Sequence, residues 1–371
     1  MRFIFKLFLI LIFTALIVFV FSDKIKNKDK DAYSGATSGS LLYYEGENHL
    51  KNIKQLTFGG DNAEAYWSFD DDKLVFQAKN TEWGAECDQI YLTDVNNYSM
   101  DSIVPDLIST GYGRTTCSYF LPGDTTILYA STHLNDTLCP VEPERQPGGK
   151  YVWPIYDSFD IYISDLDGKI LKTLVDYPGY DAEATVSPKG DKIVFTSIRS
   201  GDLELYTCDI DGGNVQQITS DLGYDGGAFF SNDGKKLIFR ASRPKTDLEI
   251  KEYKDLLKQG LVQPTNMELF ICNIDGSELK QITDLGGANW APFFHPSDQK
   301  VIFSSNHKSP PFPFNLYIID IDGENLEQIT FDTQFDAFPV FSNNGQKIVF
   351  SSNRNNNGTR NTNLFIADWQ D

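Results

Sequence analysis

Charged and polar side chains recur at three fixed positions of a sequence that repeats six times along this chain of 371 residues. The first position holds Asn62, Thr115, Asp181, Asp225, Asn289 and Asp336. Two residues later the chain has Glu64, Cys117, Glu183, Gly227, Ala291 and Phe338. The third position holds Asn80, His133, Arg199, Arg243, His307 and Arg354. Carboxylates at the first two positions and cations at the third could together bind a charged ligand or peptide.

The same residues also have structural interpretations. An Asp or Asn before a strand can hydrogen-bond the local backbone and cap the strand's entry. Asp181 or Asp225 could instead pair with Arg199 and clamp neighbouring repeats, at about 1 kcal/mol or less for each partly exposed pair. Glu64 and Glu183 have less structural reason to be acidic. The functional interpretation, an acidic funnel that attracts a cation or a basic peptide, therefore depends most on these two residues.

The repeat that positions these residues is made of two phrases. SPKGDKIVFTS, from Ser187, returns as SNDGKKLIFRAS, HPSDQKVIFSS and SNNGQKIVFSS, and LYTCDIDGGNVQQIT is echoed by LFICNIDGSELKQIT and LYIIDIDGENLEQIT. Repeats of forty-odd residues with β-branched and aromatic runs between Gly, Asp and Asn turns indicate a β-propeller. We predict an all-β fold of six four-stranded blades over 50–371. The segment 52–57 is expected to pair with 363–368 and close the ring.

Two long inserts lie between the second and third strands of their blades, and both belong to the same face of the predicted ring. They cover 132–158 and 243–266. In the second insert, Thr246 and Glu249 form a capping box that predicts a helix. Because long loops on one side of a repeat scaffold often mark its working side, we place the binding residues there: Glu64, Arg114, Asp181, Glu183, Arg199, Asp225, Trp290, His307, Asp336 and Arg354. Aromatic residues on this face are expected to contribute recognition surface, namely Trp83, Tyr112, Trp153, Tyr156, Tyr180, Tyr224, Trp290 and Phe335.

The first 22 residues combine basic Arg2 and Lys6 with an apolar run up to Phe21. This pattern predicts a hydrophobic helix that is either a signal peptide or an N-terminal membrane anchor, and both alternatives stay open. Residues 23–49 are predicted to be a flexible tether. We expect export to the periplasm or outer cell envelope, with inner-membrane attachment if the helix is retained.

Composition excludes some partners. The chain has 52 Asp and Glu against 32 Lys and Arg, a formal charge of −20. Binding to nucleic acid through phosphates needs clustered basic residues, so nucleic acid is not expected as a partner. We expect a monomer whose partner is an envelope protein or peptide.

The five cysteines fall into two sets. Cys208 and Cys272 occupy the same place in adjacent blades and are expected in the core. Cys87, Cys117 and Cys139 map to the insert side of blades 1 and 2. In an oxidising compartment we expect two of these three to form a disulfide, with Cys117 and Cys139 as the first choice. Their spacing fits no zinc module. The sequence also contains neither a G-x-S-x-G nor an H-E-x-x-H motif, so we expect no catalytic residues, metal or cofactor.

The phrases SPKGDKIVFTSIRSGDLELYTCDIDGGNVQQIT and FSNNGQKIVFSSNRN…NLFIADW resemble the WD-like propeller repeats of the TolB family over about residues 50–369. The resemblance implies a periplasmic bacterial propeller that binds protein partners of the cell envelope. The residues before the repeats look like a tether, where the family's namesake has an α/β domain. The repeats also resemble the propeller of prolyl-oligopeptidase-type peptidases.

The function that we expect is therefore a non-catalytic binding scaffold in the cell envelope. Two alternatives stay open. One is a propeller lyase or hydrolase with a metal at the channel centre, and the other is a detached propeller module that works with a peptidase.

Overall fold

The computed structural model describes residues 42–96, 104–146 and 149–371. These residues form six antiparallel sheets of four strands each, together with one two-stranded sheet. The innermost strands of the six sheets contact one another in a closed cycle. The all-β, six-bladed propeller predicted from the repeats is confirmed.

The blades follow one another along the chain, and β1 (Leu50–Gln55) precedes them. Blade 1 is β2 (Asp61–Trp67), β3 (Lys73–Lys79), β4 (Gln89–Asp94) and β5 (Asp106–Leu107), and blade 2 is β6 (Thr115–Phe120), β7 (Thr126–Ser131), β9 (Asp160–Asp165) and β10 (Ile170–Val175). Blade 3 is β11 (Asp181–Val186), β12 (Lys192–Ser197), β13 (Glu204–Asp209) and β14 (Gln216–Gln217), and blade 4 is β15 (Asp225–Phe230), β16 (Lys236–Ser242), β18 (Met267–Asn273) and β19 (Lys280–Gln281). Blade 5 is β20 (Asn289–Phe294), β21 (Lys300–Ser305), β22 (Asn315–Asp320) and β23 (Glu327–Gln328), and blade 6 is β24 (Asp336–Phe341), β25 (Lys347–Ser352), β26 (Asn363–Trp369) and β1.

The second strand of each blade lies in the core. In β12, Ile193, Val194 and Phe195 are all fully buried, because one face of the sheet packs on the preceding blade and the other face on the following blade. A strand that is buried on both faces has a continuous apolar run rather than an alternating one. This explains the recurrence of KIVF-like segments in the sequence.

The ring is closed by β1, as predicted. This strand pairs antiparallel with β26, and Gln55 lies opposite Phe365. Residues 42–49, which the sequence analysis assigns to the flexible tether, also pack against the ring. Glu47 is buried, and its carboxylate accepts hydrogen bonds from Arg354 at 2.9 and 3.1 Å. The sequence analysis misses this contact because the two residues lie at opposite ends of the chain.

The two faces of the ring differ. On the tight-turn face, which carries the turns between the first and second strands, three Asp residues with positive φ bind the turn of the preceding blade. Asp298 accepts from the backbone N–H groups of Asn232 and Asp233 at 2.7 and 3.0 Å. Asp71 and Asp124 repeat this arrangement at the junctions of blade 1 with blade 6 and of blade 2 with blade 1.

The opposite face, which we call the insert face, carries both long inserts. The second insert forms helix α1 (Asp247–Leu257), and Thr246 and Glu249 make the predicted capping box. β8 (Trp153–Pro154) from the first insert pairs with β17 (Leu261–Val262) from the second. The two inserts are therefore joined by a small sheet of their own.

Within the described ranges, no helix is long and apolar enough to cross a membrane. The predicted hydrophobic helix over residues 1–22 lies outside the described residues.

Candidate functional site

A β-bulge interrupts the innermost strand of every blade. The pairing register with the second strand shifts at the same place in all six sheets. The first residue of the bulge has φ between 47 and 59° in every blade: Glu64, Cys117, Glu183, Gly227, Ala291 and Phe338. Bulges re-aim side chains, and all six residues line the central cavity. They are the residues that the sequence analysis places at the second of the three repeat positions.

The cavity has a volume of about 860 Å³ and lies on the insert face. The first insert contributes Trp153 and Tyr156 to its wall, and the second contributes Pro264 and Thr265. Helix α1 does not line the cavity, because it packs beside β17 and bonds Asp202 through the Tyr253 hydroxyl. The chain that follows the helix, at Pro264 and Thr265, reaches the cavity instead.

The cavity wall is divided between polar and aromatic residues. Charged and polar side chains come mainly from blades 1 to 4, and rings dominate the part that blades 5 and 6 provide. Trp290 stacks on Phe314 with ring centroids 4.5 Å apart and contacts Trp153 at 5.2 Å. Aromatic rings in a concave site provide a large contact area for an apolar ligand body.

Glu183 is the centre of one hydrogen-bonded network in this cavity. Its Oε1 accepts from Arg240 Nη2 at 2.5 Å and from the Tyr224 hydroxyl at 2.6 Å. Its Oε2 accepts from Thr196 Oγ1 at 2.8 Å and from the Gly227 N–H at 2.9 Å. Burial alone would raise the pKa of Glu183, but Arg240 and these donors hold that pKa below its ordinary value. Glu183 is therefore ionised at neutral pH.

Two glycines of blade 4 make room for this network. A Cβ atom on Gly226 would lie 2.2 Å from Glu183 Oε2 and 2.6 Å from Arg240 Nη1. Gly227 has φ of +59° and lies beside the same guanidinium. A side chain at Gly226 would push the arginine away from the carboxylate, so the Gly-Gly pair is part of the site.

Glu64 lies in the same cavity without a basic partner. Its Oε2 accepts a hydrogen bond from Cys117 Sγ at 3.1 Å, and no salt bridge joins it to a basic residue of the described chain. The pKa of Glu64 is raised to about 7, and burial is the largest cause. The charge of Glu183 also raises this pKa, whereas the hydrogen bond from Cys117 and the charge of Arg240 lower it. At neutral pH this carboxyl is therefore close to its midpoint between the acid and the carboxylate.

Arg114 is held at the rim of the cavity by two acidic residues. Its Nη2 donates to Glu142 at 2.7 Å, and its Nε lies 3.3 Å from Asp88. Burial raises the pKa of Asp88, and Arg114 opposes that rise. The arginine's charge is already balanced within the protein.

The structure brings together four of the ten predicted binding residues. Glu64, Arg114, Glu183 and Trp290 line the cavity. The other six lie outside it: Asp181, Arg199, Asp225, His307, Asp336 and Arg354. Of the predicted aromatic surface, Trp153, Tyr156, Tyr180, Tyr224, Trp290 and Phe335 line the cavity, whereas Trp83 and Tyr112 do not.

Five of the six residues outside the cavity form ion pairs within a blade. Arg199 bonds Asp181 at 2.9 Å, Arg354 bonds Asp336 at 2.9 Å, and Arg243 bonds Asp225. The predicted pairing between neighbouring blades is wrong. Each Asp lies opposite the end of the second strand of its own blade, only two residues before the arginine. The sixth residue, His307, pairs through Nδ1 with Ser305 Oγ at 2.8 Å.

The disulfide prediction also needs correction. Cys87 and Cys139 are joined, with Cα atoms 5.5 Å apart, and Cys117 is a free thiol. The bulge turns Cys117 towards Glu64, whereas Cys87 lies in a loop of blade 1 that meets the first insert. The bond therefore ties the insert to blade 1. No group of three or more potential metal ligands occurs among the residues that the structure describes.

Arg240 is the main site residue that the sequence analysis misses. It takes the place in its repeat that Thr196, Ser304 and Ser351 take in blades 3, 5 and 6. A charged residue at a position that holds only uncharged residues in the other five blades, opposite two glycines, is a signal that the sequence does contain.

Residues 143–263 match a family model described as the TolB beta propeller domain. This part of the propeller is similar to the TolB propeller domain. TolB from Acinetobacter baumannii is 19% identical with a TM-score of 0.54, and the alignment covers 76% of this chain and 57% of that protein. A candidate TolB from Agrobacterium tumefaciens is 18% identical with a TM-score of 0.53, over 86% of this chain and 97% of that one. No curated protein matches the sequence. At these identities, the likeness to the solved TolB-like structures shows the fold alone.

Proposed function

We propose that this TolB-like propeller is an exported cell-envelope protein that binds a partner or ligand in the insert-face cavity without chemically changing it. The observation that carries the proposal is the cavity itself. Rings from the first insert and from blades 5 and 6 form a wall over the bulged centre of the ring, and the second insert and the disulfide hold the first insert in place. A concave, largely apolar site with a few polar groups is typical of ligand binding.

Export is supported by the sequence and by the disulfide. Disulfides persist in oxidising compartments such as the periplasm, and the first 22 residues have the pattern of an export signal or anchor. We propose the periplasm or outer envelope as the location, and an envelope protein or peptide as the partner. TolB-like proteins of known role bind such partners, which adds to the proposal.

The experiment is capture from an envelope extract by purified variants. Ala291→Phe fills the cavity with a side chain that the same bulge position already carries as Phe338 in blade 6. Trp153→Ala removes part of the wall, and Tyr112→Ala removes an exposed ring outside the cavity as the matched control. We expect the wild type and Tyr112→Ala to capture the same component, and the two cavity variants to lose it.

Equal capture by all four proteins would place the binding surface elsewhere. Chemical conversion of the captured component by the purified wild type would contradict a binding role. Thermal melting of each variant controls for folding.

A further inference from the structure

Two acidic residues of the cavity occupy equivalent positions but differ in their partners. Glu64 is the bulge residue of blade 1, and Glu183 is the bulge residue of blade 3. Glu183 receives its cation from the second strand of the next blade, where Arg240 pairs in register with Gly226. The equivalent residue for Glu64 is Ala130, which pairs in register with Thr116 of blade 2. Glu64 therefore has the carboxylate of this arrangement but not the cation.

The surroundings of Arg240 indicate which cation suits such a place. Its guanidinium lies 4.6 Å from the Tyr224 ring and 5.5 Å from the Trp153 ring, besides its contact with Glu183. Aromatic faces attract cations through the ring quadrupole, and a desolvated site strengthens that attraction. The cavity that Glu64 enters is lined by the same kind of rings, Tyr66 and Tyr180 among them.

Of the three arginines that line the cavity, only Arg145 has no acidic partner among the described residues; it lies on the first insert over the Tyr151 ring and donates to the Gly149 carbonyl. The other two offer no free charge to an anionic ligand. Arg240 is paired with Glu183, and Arg114 with Asp88 and Glu142. Arg240 Nη1 has no hydrogen-bond partner, but it is buried against Gly226 and Gly227 where a ligand cannot reach it. A bare metal cation is also a poor fit, because hard cations need several oxygen ligands.

The volume of the cavity exceeds that of an ammonium group alone. About 860 Å³ leaves room for an organic body, and the wall from blades 5 and 6 offers Trp290, Phe314, Phe335 and Phe338 to it. The site therefore fits a molecule with a positive end and an apolar remainder.

We propose that the cavity binds a primary ammonium group on an apolar chain, with the ammonium on Glu64 in the way that the Arg240 guanidinium lies on Glu183. This inference deepens the proposed function and rests on it. The same chemistry occurs in a free alkylamine and in a lysine side chain of a partner protein, and the experiment separates these sources.

The first measurement is calorimetric titration with n-pentylammonium, 1-pentanol and pentanoate, followed also by the fluorescence of Trp153 and Trp290. The wild type should bind the ammonium at least tenfold more tightly than the alcohol. Glu64→Gln should lose this preference, and Glu82→Gln, an exposed carboxylate of blade 1 on the same face, should keep it. No preference in the wild type for the amine or for the lysine peptide below would overturn the proposal.

The second arm uses an acetylated lysine-containing peptide and the same peptide with Nε-acetyl-lysine. Tighter binding of the free-lysine peptide than of n-pentylammonium would assign the group to a protein partner, and the reverse order would assign it to a small amine. Either order supports the ammonium site, provided that Glu64→Gln abolishes the preference for the ligand that carries the ammonium group.

The pH dependence is a third measurement that needs no variant. Binding should strengthen as pH rises from about 5.5 to about 8.5, because the Glu64 carboxyl, with a pKa of about 7, must lose its proton. The groups that face Glu64 are Cys117, Tyr66, Glu183, Arg240 and Asp88. The thiol and the phenol have pKa values raised well above their ordinary ones by burial, so they stay neutral. Affinity that does not change with pH would contradict the proposal.

The two proposals fail separately. Capture of an envelope component that Ala291→Phe abolishes, without any preference for ammonium, would remove this ligand class and leave the proposed function standing. Ammonium binding that Glu64→Gln does not affect would overturn the ammonium site, and the capture experiment would still decide the proposed function.

Discussion

The tight-turn face and the insert face of the ring are built from different kinds of contact. On the tight-turn face, one device recurs at three junctions, where an Asp carboxylate binds two backbone N–H groups of the preceding turn. On the insert face, an Asp–Arg pair recurs in blades 3, 4 and 6, but the charged contacts inside the cavity differ from blade to blade, and the pair of Glu183 with Arg240 occurs once. The repeated contacts hold the blades, whereas the contacts that occur once shape the cavity.

The largest effect is expected from Arg354, a buried cation on the insert side of blade 6. Arg354→Leu leaves the carboxylates of Glu47 and Asp336 buried without their partner. Breaking a buried ion pair on one side costs about 3–5 kcal/mol, and we expect this loss in the free energy of unfolding by urea.

Its control is Lys235→Met on the tight-turn face, where the pair with Asp233 is exposed. That change should leave the free energy of unfolding nearly unchanged, because water and salt screen an exposed pair. Equal losses in the two variants would mean that the faces do not differ in how they hold charge.

The second prediction concerns the disulfide of the insert face. Replacing Cys87 and Cys139 by Ser should lower the free energy of unfolding by about 2–4 kcal/mol, because the crosslink restricts the unfolded chain. The first insert should also lose its tie to blade 1, so capture by the cavity should weaken. A reductant added to the wild type should reproduce both effects, and unchanged capture would show that the wall holds without the bond.

The third prediction is that the ionised carboxylate of Glu64, on the insert face, lowers the stability of the fold. The pKa of Glu64 is raised to about 7 in the folded protein from its ordinary value of 4.5. The folded state therefore binds more protons than the unfolded state between these values, and stability must fall as pH rises through that window. Glu64→Gln should be more stable than the wild type by about 1–3 kcal/mol at pH ~8 and equal to it at pH ~4.

Urea unfolding at both pH values tests this sign. If Glu64→Gln were less stable than the wild type at pH ~8, the Glu64 carboxylate would stabilise the fold. At this position the insert face would then not differ from the tight-turn face.

The smallest effect is expected on the tight-turn face. Asp298→Gly keeps the positive φ accessible, as Gly345 does in the next blade, but removes the acceptor of two backbone N–H groups. We expect a loss of about 1–2 kcal/mol and unchanged capture by the cavity. Reduced capture would show that the tight-turn face also shapes the binding site.

The fold was predictable because its information is repeated. Segments such as KIVF, which are buried on both faces, recur in nearly every blade. β1 has the sequence signature of an outermost strand, although it precedes the first blade in the chain. The repeats also showed that Glu64 and Glu183 occupy the same position in their blades. Their side chains reach the cavity because every blade has a bulge at that position.

The rest of the site was not predictable from the repeats, because it consists of departures from them. Arg240 occupies a position that is a small hydroxyl in three other blades, and its effect depends on Gly226, its cross-strand partner on the preceding strand. The pairing of Cys87 with Cys139 depends on how the first insert folds back onto blade 1. Contacts of this kind depend on tertiary packing and not on the repeat pattern of the sequence.

The pairing of β1 with β26 also has a consequence for biosynthesis. Gln55 is made long before its partner Phe365. During that interval β1 lacks its partner strand, and unpaired strand edges promote aggregation. A chain that closes its ring in this way would benefit from a chaperone that holds β1 until β26 has been made.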